Sequence, residues 1–163
     1  MVSGGQTGVD RAALDAALSL GIPCGGWCPA GRLAEDGPIP ARYPLTELAG
    51  ADYLARTRQN VIDSDATLVV SYGRPSGGTA RTVEFCQQHY RPLLVVDAAR
   101  TDLERAMRDA RRFVSDQNVY RLNVAGPRAS KAPGVYDFAF ALVRGLLSPD
   151  PNSTDSDPTR SPG

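Results

Sequence analysis

Two glycine-rich stretches, each set where an apolar segment gives way to a helical one, constrain this chain most. Ser3-Gly4-Gly5-Gln6-Thr7-Gly8 packs three glycines into six residues directly before Val9-Asp10-Arg11-Ala12-Ala13-Leu14. Tyr72-Gly73-Arg74-Pro75-Ser76-Gly77-Gly78-Thr79 follows the apolar run Ala66-Thr67-Leu68-Val69-Val70-Ser71 and precedes a helical pattern over Ala80 to His89. Such turns let the backbone approach a ligand closely and aim the free N–H groups of a first helical turn, with the positive end of the helix dipole, at an anion. Thr7 and Asp10 have capping-box spacing, which makes Thr7 the expected N-cap of a helix that begins at Gly8 or Val9. The first loop is neither G-x-G-x-x-G nor G-x-x-x-x-G-K-[ST], so neither the usual dinucleotide nor the usual nucleoside-triphosphate fingerprint applies. A plain βα turn without any ligand also needs glycines like these.

The rest of the chain repeats the strand-then-helix pattern. Leu14, Ala17 and Leu18 form a stripe on the first helix, which Gly21 ends, and Ile22 to Gly25 is a short extended piece. Residues 26–40 hold too many glycines and prolines for a regular element and read as a flap over a binding crevice, with Trp27 and Ile39 arguing against disorder. A helix over Tyr53 to Ser64 puts Arg56, Asn60 and Asp63 on one face, a polar stripe of the kind that meets water. Pro92 to Val96 is the next strand, with Asp97 at its carboxyl end. Thr101 and Glu104 form a second capping box for a helix over Asp102 to Val114, and Val119 to Val124 is the last strand. A final helix buries Val135, Phe138, Leu142 and Leu146. About five alternations imply an α/β fold, a parallel sheet covered by helices on both faces. The two glycine loops then face one another across a crevice if they leave neighbouring strands. Met1-Val2 leaves almost nothing for the first strand, and an internal start within a longer chain is the favoured expectation. The tail at 148–163, without an apolar residue from Asp150 onward, is expected to be disordered, leaving residues 1–147 as one domain.

Lysine plus arginine (18) balance aspartate plus glutamate (18), so no net field draws nucleic acid or an anionic membrane. No segment resembles a signal peptide or a membrane span, which places the protein in the cytoplasm. Cys24, Cys28, Cys86 and His89 could supply four zinc ligands, but nothing forces the two pairs together. They read more readily as core thiols and a helix-end histidine. Asp10, Glu35, Asp36, Asp63, Glu84 and Asp97 are the acid/base candidates, most with structural roles at hand, and no serine–histidine triad can be assembled. Arg32, Arg56, Arg74 and Arg128 sit in or beside the crevice, where guanidinium forks favour an anionic ligand.

Several separated blocks carry a family resemblance. These are Ser-Gly-Gly-Gln-Thr-Gly-x-Asp-Arg-Ala-Ala at 3–13, Gly-Gly-Trp-Cys-Pro at 25–29 running into Arg32, and Ala-Glu-Asp-Gly-Pro-Ile-Pro at 34–40. Arg56-Thr57 with Asn60-Val61, Asp63-Ser64-Asp65, Ser-Gly-Gly-Thr at 76–79 and Val-Ala-Gly-Pro-Arg at 124–128 complete them. Over residues 1–147 the chain resembles the molybdenum cofactor carrier family. The resemblance implies a Rossmann-like, doubly wound parallel sheet, related to the lysine-decarboxylase-like phosphoribohydrolases, in a homo-oligomer. It implies molybdenum cofactor, a pterin dithiolene with a terminal phosphate, as the carried ligand, handed on to a molybdoenzyme recipient. Two features depart from that pattern: the missing first strand, and Cys24 where histidine is frequent.

On this reading the amides of Gly5, Gln6, Thr7 and Gly8 and of Gly77, Gly78 and Thr79 hold phosphate or molybdenum oxygens. Thr7, Ser76 and Thr79 add hydroxyls, Arg32 and Arg56 add charge, and the Trp27 flap covers the ligand, while Gly4, Asp10, Arg11 and Asn60 complete the set. The rival reading is an enzyme that cleaves the N-glycosidic bond of a nucleoside monophosphate. Its glutamate would be Glu84, which is displaced along the helix after Gly77-Gly78-Thr79 and turned away from the site.

Overall fold

The computed structural model describes residues 1–50 and 52–149, so the tail expected at 148–163 lies outside them except for Ser148 and Pro149. In chain order the elements are α1 (Val9–Ser19), β1 (Trp27–Pro29), a 3₁₀ turn (Ala30–Arg32), β2 (Leu33–Ala34), β3 (Gly37–Pro38), β4 (Thr46–Leu48) and α2 (Tyr53–Ile62). They continue with β5 (Ala66–Ser71), α3 (Gly77–Gln88), β6 (Leu93–Asp97), α4 (Leu103–Asp116), β7 (Leu122–Ala125) and α5 (Val135–Leu147).

The central sheet is parallel, in the order β6-β5-β7. Beyond β7 the sheet is continued by Val2, which bridges Asn123 on one side and Gly25 on the other, both in parallel. The five expected strands are therefore three full ones and two single-residue continuations. All six residues of β5 are buried, which accounts for its apolar sequence: a central strand is covered on both faces. Ala66, Leu68 and Val70 face a core built with α1, α4 and α5, where Ala12, Ala13, Ala16 and Ala139 are fully buried. Thr67, Val69 and Ser71 alternate to the other face. There α3 packs against β5 and α2 packs against α3.

Two further pairs lie outside this sheet. β1 and β4 run parallel, and β2 and β3 form a short antiparallel hairpin within the expected flap. The flap has its own small core of Ile39, Tyr43, Cys28 and Leu14. That core explains two departures on α1. Leu14 turns to the flap while Val9, Ala12 and Ala16 turn to the main core, so the helix is buried on more than one side. Leu18, expected in the buried stripe, is 41% exposed.

On α5, Val135, Ala139, Leu142 and Val143 are buried, whereas Phe138 and Leu146 are only half-buried. The Thr101 capping box does not form: Asp102 caps α4, its carboxylate accepting the Arg105 N–H at 2.8 Å. α3 starts at Gly77, three residues before the expected Ala80. Among the described residues no helix is long and apolar enough to cross a membrane.

Candidate functional site

The chain passes from β5 through α3 to the outer strand β6, then crosses back through α4 to β7 on the other side of β5. The loops leaving β5 and β7 therefore diverge, and the crevice between them at the carboxyl ends is where open α/β sheets take their ligands. Gly4 from the first loop, Asp10 from the start of α1, Gly78 and Thr79 from the start of α3, and Gly126 after β7 line one small cavity with Arg56 and Asn123. The two glycine loops thus share a space, but not from neighbouring strands as expected. β7 lies between Val2 and β5, and its exit loop is a third wall.

Glycine is required at this convergence. A Cβ on Gly126 would press on the Val70 carbonyl and lie 2.8 Å from Val9 Cβ, and one on Gly78 would lie 2.8 Å from the Tyr53 hydroxyl. Gly77 has φ +52°, a conformation that L side chains rarely adopt.

The N-terminus of α3 carries open donors. Ser76 is the N-cap, but its side chain makes no cap hydrogen bond, and its carbonyl takes the N–H groups of Thr79 (3.1 Å) and Ala80 (3.2 Å). Among the described residues the Gly77 and Gly78 N–H groups have no acceptor, and the Thr79 hydroxyl, on a residue 7% exposed, has no partner. Arg56, 3% exposed, stands opposite. Its Nη1 lies 3.7 Å from Asp10 Oδ2 and its guanidinium 4.2 Å from the Tyr53 ring centroid, yet its buried Nε has no hydrogen-bond partner among the described residues. Burial pushes the Asp10 carboxyl up to about 6, against the pull of Arg56 and the Gln6 N–H. A buried charge normally fills its hydrogen-bonding capacity, and here one guanidinium donor stays open beside a helix N-terminus.

The expected water-facing stripe on α2 is therefore interior. Arg56 and Asn60 are both 3% exposed, and Asn60 joins the two backbone groups of Trp27, accepting from its N–H at 2.8 Å and donating to its carbonyl at 3.0 Å.

The first loop is largely occupied with the flap. Thr7 does not cap α1, whose N-cap is Gly8; its hydroxyl donates to Glu35 and accepts the Ala129 N–H. Gln6 Nε2 donates to the Leu33 carbonyl at 2.9 Å, and Arg11 forms a two-pronged pair with Asp36. Asp10, the expected capping partner, accepts the Gln6 N–H from inside the loop. The Thr7 and Ser130 hydroxyls hold the Glu35 carboxyl below its ordinary range, and Arg11 does the same for Asp36. Arg32 is likewise engaged: its guanidinium donates to the carbonyls of Ile39, Pro40, Tyr43 and Leu45, binding the flap into one piece.

Trp27 stands away from the cleft. Its indole N–H donates to Asp63 at 2.7 Å, and it lines a cavity of about 650 Å³ at the amino ends of the strands beside Ile22, Cys24 and Arg121. Size does not select that cavity as the site, because no helix N-terminus opens into it, whereas the small cleft gathers unpartnered donors. Glu84 lies on the outer side of α3, paired with Arg81 at 2.7 Å. Among the described residues no group of three or more His, Cys, Asp and Glu could hold a metal ion.

Sequence reasoning missed Tyr53, whose ring carries Arg56 on one contact and Arg128 at 5.2 Å on another, and Asn123, a buried amide bonded to Thr67. Both had signals. Tyr53 lies three residues before Arg56 on a helix, and Asn123 interrupts an apolar strand.

A family model for the circularly permutated YpsA SLOG family matches residues 1–147. The chain belongs to that family. Among solved structures, this SLOG protein is similar to the "Putative molybdenum carrier protein" of Syntrophus aciditrophicus SB, with 45% identity and a TM-score of 0.88. The match covers 90% of this chain and 93% of that one. No curated protein matches the chain. The membership and the likeness agree with the α/β architecture, a parallel sheet flanked by helices.

Proposed function

We propose that this SLOG protein is a carrier: it binds molybdenum cofactor, or a similar phosphorylated pterin or nucleotide, in the carboxyl-end cleft and hands it on to a recipient enzyme. The reading rests on one observation above all. Among the described residues the Gly77 and Gly78 amides, the Thr79 hydroxyl and Arg56 Nε are donors without acceptors, gathered at a helix N-terminus where an anion is stabilised. The name carried by the Syntrophus relative supports the choice of ligand.

Within this proposal Gly77, Gly78, Thr79 and Arg56 contact the phosphate, Ser76 stands beside them as the N-cap of α3, and Gly4, Gly5 and Gly8 let the loops close in. Gln6, Thr7, Arg11, Arg32 and Asn60 hold the flap and its neighbours. The cleft encloses only about 20 Å³. By that measure, the space open to the centre of a water-sized sphere, one water needs about 10–15 Å³, so the cleft admits a water but not a pterin or nucleotide, and the ligand must open it. Tyr53 is the side chain in the way, with its hydroxyl over Gly78.

Anaerobic purification, denaturation and mass spectrometry of the released small molecule test the proposal. A phosphorylated pterin or nucleotide is expected, and its retention is lost in Gly78→Val. Release of a non-anionic molecule, or unchanged retention by that variant, overturns it.

A further inference from the structure

We propose that a second oxyanion seat lies on the other flank of Thr79, formed by Arg74, Ser76 and Lys131, so that the ligand carries two separate anionic groups. The seat itself stands on its own observations; its place in a two-anion ligand rests on the carrier reading above.

A second cavity of about 70 Å³ opens there, bounded by Ser71, Arg74, Ser76, Thr79, Pro127 and Lys131. It sits at the point where β5 and β7 send their chains apart, and among the described residues no carboxylate lines it. Arg81, Arg105, Arg108 and Arg112 each find a carboxylate on their own helix, whereas the side chains of Arg74 and Lys131 form no ion pair or hydrogen bond among the described residues. Asp97 is close along the chain fold, but its carboxylate takes the Gly73 N–H at 2.8 Å and the Ala99 N–H at 3.0 Å, fixing the loop instead of neutralising the seat.

The second, independent observation is Thr79. It is more than nine-tenths buried, it lines both cavities, and its hydroxyl has no partner among the described residues. Its single O–H can donate into either cavity, to one anion at a time, so the other anion is held by the cations and amides on its own side. Two like-charged ligand groups held either side of it, each with its own guanidinium or ammonium, describe a molecule with a terminal phosphate and a second oxyanion. That second group is either another phosphate or the oxygens of a bound metal. Both present the tetrahedral or near-tetrahedral oxygen set that Arg and Lys recognise.

Tungstate tests this, because it mimics either group and can be counted. Equilibrium dialysis at constant ionic strength, with bound tungsten measured by mass spectrometry, is run on the whole chain. The samples are the unaltered protein, the double variant Arg74→Gln with Lys131→Gln, and Gly78→Val. Arg74 and Lys131 are exposed, so the double variant keeps its fold, checked by circular dichroism.

The expected result is two tungstates per chain, halved to one in each variant. Two tungstates in the double variant overturn the second seat. A single tungstate lost only in Gly78→Val also overturns it, while leaving the carrier reading intact. A single tungstate lost only in the double variant supports this seat and removes the α3 seat on which the carrier reading rests.

Discussion

Replacing Asp10 with asparagine should stabilise the protein at neutral and alkaline pH, although it removes one partner of a buried ion pair. Asp10 is 5% exposed, and its carboxyl, ordinarily near 3.8, is pushed up to about 6, burial being the largest cause and outweighing Arg56 3.7 Å away. A folded pKa above the unfolded one means that the fold prefers the protonated form. The stabilisation from that proton is complete below about pH 4 and is lost as pH rises through about 6. A displacement of about two units corresponds to about 3 kcal/mol at pH 8. Asparagine keeps an oxygen for the Gln6 N–H and carries no charge, so the variant escapes that loss.

In a chain of this size 3 kcal/mol is roughly 6–12 °C in Tm. Thermal unfolding followed by circular dichroism in phosphate-free buffer at pH 4, 6 and 8 checks it. The variant should melt higher at pH 8, with the gap narrowing through pH 6 and closing near pH 4. A variant that melts lower than the parent at pH 8 would refute the reasoning, because it would show the attraction of Arg56 to be stronger than the cost of burying the carboxylate.

Three other substitutions probe the frame. Asn60→Leu leaves both backbone groups of Trp27 without partners and should cost about 2–4 kcal/mol, read from the urea midpoint. Gly126→Ala drives a methyl against the Val70 carbonyl and Val9, so a loss of about 1–3 kcal/mol or more is expected in the same assay. Arg32→Lys cannot reproduce the planar fork that reaches four carbonyls. It should raise the rate of limited proteolysis within residues 31–45 well above that of the rest of the chain.

The strand-and-helix alternation was legible because its signals are local. Ala66 to Ser71 is uniformly apolar because it is central, and glycine marks each sharp exit. The parts that stayed hidden depend on what lies opposite. Arg56 and Asn60 look like a wet stripe in the sequence, yet they face Asp10, Tyr53 and the backbone of Trp27. Periodicity reports which residues share a face and says nothing of whether that face meets water or another polar surface.

Thr7 satisfies the spacing of a capping box, but Glu35, from a flap 28 residues on, competes for its hydroxyl and wins. At Thr101-Asp102 two capping residues are adjacent, and spacing alone chose the wrong one. Strand adjacency is a matter of tertiary order, so β7 between the two glycine loops had no sequence signal. The most specific signal was spread over several blocks across 1–147, and the family match spans the same residues.

The central claim is that an anion binds at the start of α3, in the cleft shared by three carboxyl-end loops. Titration of isotopically labelled protein with inorganic phosphate, followed by two-dimensional amide NMR, tests it directly. Saturable shifts are expected at Gly77, Gly78 and Thr79, extending to the loop at Gly4, with the amides of Cys24, Trp27 and Arg121 unmoved. Shifts centred on Cys24, Trp27 and Arg121, with none at Gly77 to Thr79, would contradict it and move the site to the opposite end of the sheet.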